Sequence, residues 1–350
     1  MTKVIEPGPR HGTVLIPSSK SIAHRELIAA ALSGAEPPAI RGESADTRAT
    51  RACLAAMMAG ERVWPCGESG TTLRLLEPIA GVRGWKGEFR CEGRLGQRPR
   101  MPFERKPRYV IPGNVSSQFA SGLLMALPMA DWDSTVEIDG ELQSAGYVRL
   151  TEDVVSAAGI GFEHGERRVR RGLFGGETAL QPERWRIPGG QAYRIAGGRE
   201  VEGDWSQAAF FLAMGVEVRG LRADSRQGDR AAIRLLSLIG GGRDRPQVLD
   251  VSQVPDLYPV LAAYAAAVGA RVEFTGTERL RLKESDRLAS TAAMIAAVRG
   301  GRPVDACGDH RIAMAAAVMA CYADRPVTVE GAECVAKSYP GFWSDFDALT

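Results

Sequence analysis

The sequence is poor in the residues that usually announce a reactive centre. Histidine occurs four times, at 11, 24, 164 and 310, and no two have metal-ligand spacing. The six cysteines, Cys53, Cys66, Cys91, Cys307, Cys321 and Cys334, form no Cys-x-x-Cys pair. They read as reduced, mostly buried thiols, which argues against a disulfide frame or a zinc site. Neither a metal nor a cofactor is expected. Aromatic residues are only 7% of the chain, too sparse for a base-stacking platform. A net charge of +2 gives no general case for nucleic acid or a membrane surface. The longest uncharged apolar run, residues 312–323, falls well short of the roughly 18 residues a membrane span needs. Met1-Thr2-Lys3-Val4-Ile5-Glu6 holds no signal-peptide core, so a cytoplasmic location is expected.

What the chain has in quantity is a repeated plan. Its 350 residues, 45% hydrophobic and 25% charged, suit one large or two medium soluble domains. A short β-like segment, a polar Gly/Ser turn and an apolar helix recur along it. The turns lie at 17–20, 68–71, 113–118, 203–206, 254–256 and 308–311, about 50 residues apart except for a wider gap between Ser116 and Asp204. Two sets of three predict an α/β protein of two domains, each with three β/α units. Within the gap, residues 163–171 read as a charged, exposed hairpin, with a solvated edge strand preferred over an interaction patch.

Each turn sets polar groups at a helix start, where unpaired N–H groups and a partial positive charge favour anions. The densest is Lys283-Glu284-Ser285-Asp286-Arg287, with Ser285 or Asp286 as N-cap of a helix that stops at Gly300-Gly301. Taken alone, it reads as a solvated helix entrance with local ion pairs. Lys20, Ser21 and Arg25 open the first helix, and the i,i+4 spacing puts Ser21 and Arg25 on one face. His24 reads as a packed or surface side chain. Gly70 allows close approach of a ligand to the backbone. Arg94 and Arg98 follow a predicted strand at 88–91. Ser116, Ser117 and Gln118 are neutral donors suited to phosphate oxygens. Ser144 and Tyr147 precede another helix, where a plain cap explains them equally well. Arg311 opens the helix at 312–323, and Lys337 has no reading by itself.

In this order, Ser18-Ser19-Lys20-Ser21 with Arg25, Ser69-Gly70-Thr71, Arg94 with Arg98-Pro99, Val115-Ser116-Ser117-Gln118, Val201-Glu202-Gly203-Asp204, Lys283-Glu284-Ser285-Asp286-Arg287, Asp309-His310-Arg311 and Ala336-Lys337 resemble one family. The chain is similar to the 5-enolpyruvylshikimate-3-phosphate synthases from about residue 12 to residue 343. The resemblance implies two domains of three βαβαββ units each, an inside-out α/β barrel with its active site in the interdomain cleft. The expected domains are 18–202 and 1–17 plus 203–350. It also implies transfer of the enolpyruvyl group of phosphoenolpyruvate to the 5-hydroxyl of shikimate 3-phosphate, by addition and elimination, and a monomer. Ser21, Arg25 and Tyr147 would hold the shikimate carboxylate side, and Ser116, Ser117, Ser144 and Lys283 its 3-phosphate. Lys20, Gln118 and Asp256 would also touch that substrate. Arg287 and Arg311 would take the phosphoenolpyruvate carboxylate, and Lys20, Gly70, Arg94, Gln118 and Lys337 its phosphate. Asp256 is the expected base and Glu284 the expected acid, with Lys20 as a second proton carrier.

Three departures stand out. Glu68 replaces the Asn common in relatives, Gly146 a proline before the tyrosine, and Leu75 another proline. The chain is also shorter than typical members. Two other readings compete. One is the sister enolpyruvyl transferase acting on UDP-N-acetylglucosamine, which usually carries a reactive loop cysteine. The other is a non-enzymatic phosphate- or RNA-binding module. Cys91 in a strand-like segment argues against the first, and cations placed singly at separate helix starts argue against the second.

Overall fold

The computed structural model describes residues 1–171 and 177–350, and for 169–171 and 177–181 the backbone alone. It is an α/β protein that divides into two compact units. A central unit holds Ser21–Ala39 and Asp46–Glu200, and a terminal unit holds Met1–Lys20, Ile40–Ala45 and Val201–Thr350. The boundary expected after residue 17 falls after Lys20. Residues 40–45, expected with the N-terminal domain, belong to the terminal unit. The cause is local: Ser18 N donates to Arg41 O at 2.9 Å, and Arg41 N to Ser18 Oγ at 2.9 Å. No repeat in the sequence marks this short return.

The central unit carries helices α1 (Lys20–Ser33) and α2 (Ala45–Met58), whose first residues lie in the other unit, and α3 (Gly70–Arg83), α4 (Ser117–Ala126) and α5 (Ala145–Ala157). Its sheet runs in the order Arg108–Pro112, Ser134–Asp139, Arg184–Ile187, Glu163–Gly165. The first pair is parallel and the other two antiparallel. With α4 and α5 as crossovers, this is one complete strand–helix–strand–helix–strand–strand set. Alternate strand residues Tyr109, Ile111, Val136, Ile138, Trp185 and Ile187 form its core with Leu123, Leu124 and Val148 from the helices. A parallel pair, Val63–Gly67 with Glu88–Cys91, brackets α3 in the same way.

The charged stretch at 163–171 differs from its expectation. Glu163–Gly165 is the sheet edge, but His164 is only 16% exposed. Its ring stacks on Trp185 at 4.7 Å, with Glu152 and Glu183 at 3.1 and 3.2 Å from its two nitrogens. The side chains of 169–171 lie outside the described residues.

The terminal unit continues with α6 (Trp205–Ala213), α7 (Ala232–Gly241), α8 (Tyr258–Val268), α9 (Arg287–Arg299), α10 (His310–Ala320) and α11 (Phe342–Asp347). Two-stranded parallel pairs join Thr13–Leu15 to Glu217–Arg219 and Gln247–Asp250 to Val272–Thr275. A third sheet sets Val327–Glu330 between Thr2–Ile5 and Val304–Asp305. Every residue of α10 is buried, which is why the run after Arg311 carries no charge: it is the central helix of this core. Among the described residues no helix is long and apolar enough to cross a membrane.

Close packing of α3 on α4 depends on Gly122. A Cβ there would stand 2.3 Å from Arg74 O and 3.0 Å from Pro78 Cγ. Gly122→Ala is expected to destabilise the protein by about 1–3 kcal/mol, the usual cost of overpacking, read as a lower urea midpoint.

Candidate active site

Three helix entrances in the terminal unit converge on one cluster. Asp286 is the N-cap of α9, accepting Leu288 N and Ala289 N, so Arg287 occupies the first helical position. Asp309 caps α10 by accepting Arg311 N at 3.0 Å. Asp256 sits in the 3₁₀ turn Pro255–Leu257 that leads into α8. Ser285, the other candidate cap, instead donates its hydroxyl to Asp309 Oδ2 at 3.1 Å.

Arg287 is the hub. Its Nε donates to Asp309 Oδ2 at 2.8 Å, Nη1 to Asp256 Oδ1 at 2.8 Å and Nη2 to Glu284 Oε2 at 2.7 Å. Lys283 Nζ reaches Asp256 Oδ1 at 3.2 Å, and Arg311 Nη2 lies 3.3 Å from Asp256 Oδ2. The expected residues Asp256, Lys283, Glu284, Arg287 and Arg311 are thus brought together. Arg311 is no surface cation: its side chain is 5% exposed, and its Nη1 donates to Asp256 O at 3.0 Å.

The electrostatics follow from burial and partners. Burial pushes the Asp256 carboxyl up, but Arg311, Lys283 and Arg287 together outweigh it and hold the group well below its usual 3.8. Burial lowers the Lys283 ammonium despite Asp256. Burial would lower Arg287 too, yet Asp309, Glu284 and Asp256 raise it above its ordinary value. His310, buried beside Lys20 and Arg311, is held neutral well below 6.5, chiefly by desolvation. Lys20 begins α1, its backbone N–H donating to Asp204 Oδ2 at 3.0 Å, while Asp204 Oδ1 caps α6 through Ser206 N and Gln207 N. Lys337 is half-buried at the end of the 3₁₀ turn Ala332–Lys337.

In the central unit Arg25 is 1% exposed and is held by neutral acceptors. Nε donates to Thr151 Oγ1 at 2.7 Å, Nη1 to Ser21 O at 2.6 Å, and Nη2 to Ser121 Oγ at 3.2 Å and Tyr147 O at 2.9 Å. The shared face of Ser21 and Arg25 is real, but Ser21 and Tyr147 meet Arg25 through their carbonyls. Among the described residues no carboxylate pairs with this guanidinium. Burial without a counter-ion lowers its pKa to about 10, which still leaves it charged at neutral pH. His24, as expected, is packed: it is buried, with Nδ1 2.6 Å from Thr50 Oγ1.

Ser116 caps α4 by accepting Gln118 N at 3.3 Å, and Ser117 is buried in its first turn. Ser144 precedes α5 in the left-handed region at φ 58° and makes no side-chain cap bond. Gln118 is already engaged, bridging Arg74 Nη1 at 2.7 Å and Thr71 Oγ1 at 2.8 Å. Arg74 was missed in the sequence. A Cβ on Gly70 would meet Arg74 Nη1 at 3.2 Å and Arg98 Nη1 at 3.3 Å, so two guanidinium groups flank the α3 start. The i,i+4 spacing of Gly70 and Arg74 was the available signal. Arg94 is exposed on the 3₁₀ turn Gly93–Gln97. Glu68 packs against Gly93, where a Cβ would come within 2.0 Å of its Oε1.

Two measurements check the terminal-unit cluster. Asp309→Ala removes the partner that Arg287 cannot replace with water, and about 3 kcal/mol of stability should be lost in urea unfolding. Asp256 has a depressed pKa, so its stabilisation is present above its unfolded value near 3.8 and vanishes as pH falls through the lower folded value. Asp256→Asn should therefore lower the urea midpoint by a constant amount from about pH 8 to pH 5, a gap that closes only below about pH 4. A gap that closed near neutral pH would contradict this.

The family described as EPSP synthase (3-phosphoshikimate 1-carboxyvinyltransferase) matches residues 100–346. A 3-phosphoshikimate 1-carboxyvinyltransferase from Clostridium kluyveri is 33% identical, covering 99% of this chain and 96% of that protein. One from Clostridium acetobutylicum is 32% identical with the same coverage. The solved EPSP synthase of Acinetobacter baumannii shares the fold with a TM-score of 0.68 at 20% identity, over 99% of this chain and 97% of that one. The chain belongs to the EPSP synthase (3-phosphoshikimate 1-carboxyvinyltransferase) family.

Proposed function

We propose that this chain transfers the enolpyruvyl group of phosphoenolpyruvate to the 5-hydroxyl of shikimate 3-phosphate and releases inorganic phosphate. The carrying observation is the Asp256 cluster, in which two carboxylates suited to proton transfer share one guanidinium with Lys283 and Arg311 beside them. Family membership supports the same reaction.

The chemistry needs a base for the attacking hydroxyl and an acid for the methylene carbon. Asp256, ionised at neutral pH, is the base, and Glu284 the acid, with Lys20 as a second proton carrier. Arg287 and Arg311 take the phosphoenolpyruvate carboxylate, to which their planar forks are suited. Lys20, Arg94, Gln118, Lys337 and the Gly70 backbone take its phosphate. Among the described residues no carboxylate pairs with Arg25, which supports a place for it with Ser21 and Tyr147 at the shikimate carboxylate. Ser116, Ser117, Ser144 and Lys283 hold the 3-phosphate, and Lys20, Gln118 and Asp256 also touch that substrate. Each substrate brings a phosphate of about −1.5 to −2 plus a carboxylate, so many cations are required. Two domains, 18–202 and 1–17 plus 203–350 apart from residues 18–20, 40–45 and 201–202, complete this reading, as does a monomer acting in the cytoplasm.

The test is phosphate release from purified protein with both substrates. Turnover is expected, and Asp256→Ala and Glu284→Gln should each reduce it at least about a hundredfold. No release by the unaltered chain in several buffers would sink the assignment, and near-normal turnover in either variant would remove that residue from its role.

A further inference from the structure

Arg287 divides its donors between one fixed partner and two exchangeable ones. Asp309 grips Nε at 2.8 Å and Nη2 at 3.3 Å, has 0% exposure, and also receives Ser285 Oγ and Arg311 N. It belongs to the framework of the helix starts. Asp256 and Glu284 differ: they take Nη1 and Nη2, and their side chains keep 19% and 15% exposure. Each of the cations Lys283, Arg287 and Arg311 is already paired with Asp256, Glu284 or Asp309. An arriving anion therefore meets cations that acidic side chains already hold. Asp256 is the more telling of the exchangeable pair, because its two oxygens bridge two arginines. Oδ1 lies 2.8 Å from Arg287 Nη1, and Oδ2 lies 3.3 Å from Arg311 Nη2. A small carboxylate would span the same two groups in the same way.

We propose that the Asp256 carboxylate is a built-in stand-in for the carboxylate of phosphoenolpyruvate, bridging Arg287 and Arg311 until that substrate displaces it. This rests on the proposed function above. Displacement keeps Lys283 beside Asp256 and takes away two of the cations that weaken it as a base. Its basicity therefore rises when the donor is in place. The same exchange reduces donor affinity, since contacts must break before new ones form.

Calorimetric titration of phosphoenolpyruvate alone into the unaltered chain and Asp256→Asn tests this. The neutral amide competes less well for the arginines, so binding should tighten about tenfold even as turnover falls. Equal or weaker binding overturns the proposal. Should Asp256→Asn fail to fold, Asp256→Ala decides, because it removes the bridging carboxylate altogether: tighter binding retains the exchange, and unchanged or weaker binding ends it. Phosphate release is read separately. Tightening in Asp256→Asn together with no phosphate release by the unaltered chain would overturn the assigned reaction and keep the exchange.

Discussion

The terminal unit depends on one buried ion pair, Arg287 with Asp309. Their side chains are 2% and 0% exposed, and removing two charges from water is repaid only when geometry and further hydrogen bonds are good. Here they are. Asp309 also caps α10 and receives the Ser285 hydroxyl, while the remaining Arg287 donors reach Asp256 and Glu284. The starts of α9 and α10 and the turn before α8 are thereby held at one point. The side chains that meet at this point come from helix starts held in fixed relation to one another.

The central unit keeps its cation in the opposite way. Arg25 is equally buried but rests on hydroxyls and carbonyls, so its charge is solvated by dipoles and not cancelled. Such a group is expensive to bury, and the cost shows as a lowered pKa. Arg287 is thus held against internal carboxylates, and Arg25 among the described residues against none. The difference matters for an anion: in the first case it must exchange with a partner, and in the second it adds charge where charge is missing.

Helix caps supply the common grammar. Asp204, Asp286 and Asp309 cap α6, α9 and α10, and Ser69 and Ser116 cap α3 and α4. In α9 and α10 an arginine follows the acidic cap by one or two residues, which puts a cation beside a helix start that already favours anions. The chain's own variation lies at the edge of this pattern. Glu68 adds a carboxylate next to Gly93, one residue before Arg94, and Leu75 is fully buried in α3.

Much of this was legible in the sequence because its signals are local. Cap residues, the turn spacing and the apolar run after Arg311 identified helix starts, and all six repeat turns do precede helices. The edge-strand position of Glu163–Gly165 was legible from its charge, but the stacking of His164 was not, since it depends on Trp185 in a paired strand. Arg74 and the return of residues 40–45 escaped because each is defined by contacts with distant segments. Sequence by itself determined the α/β plan, the family and the residue types at each turn, since these rest on spacings of a few residues. Only the tertiary structure decided which cations are already paired. The Asp256, Arg287 and Arg311 side chains come from turns far apart in the chain, and charge pairing is set by distance in space.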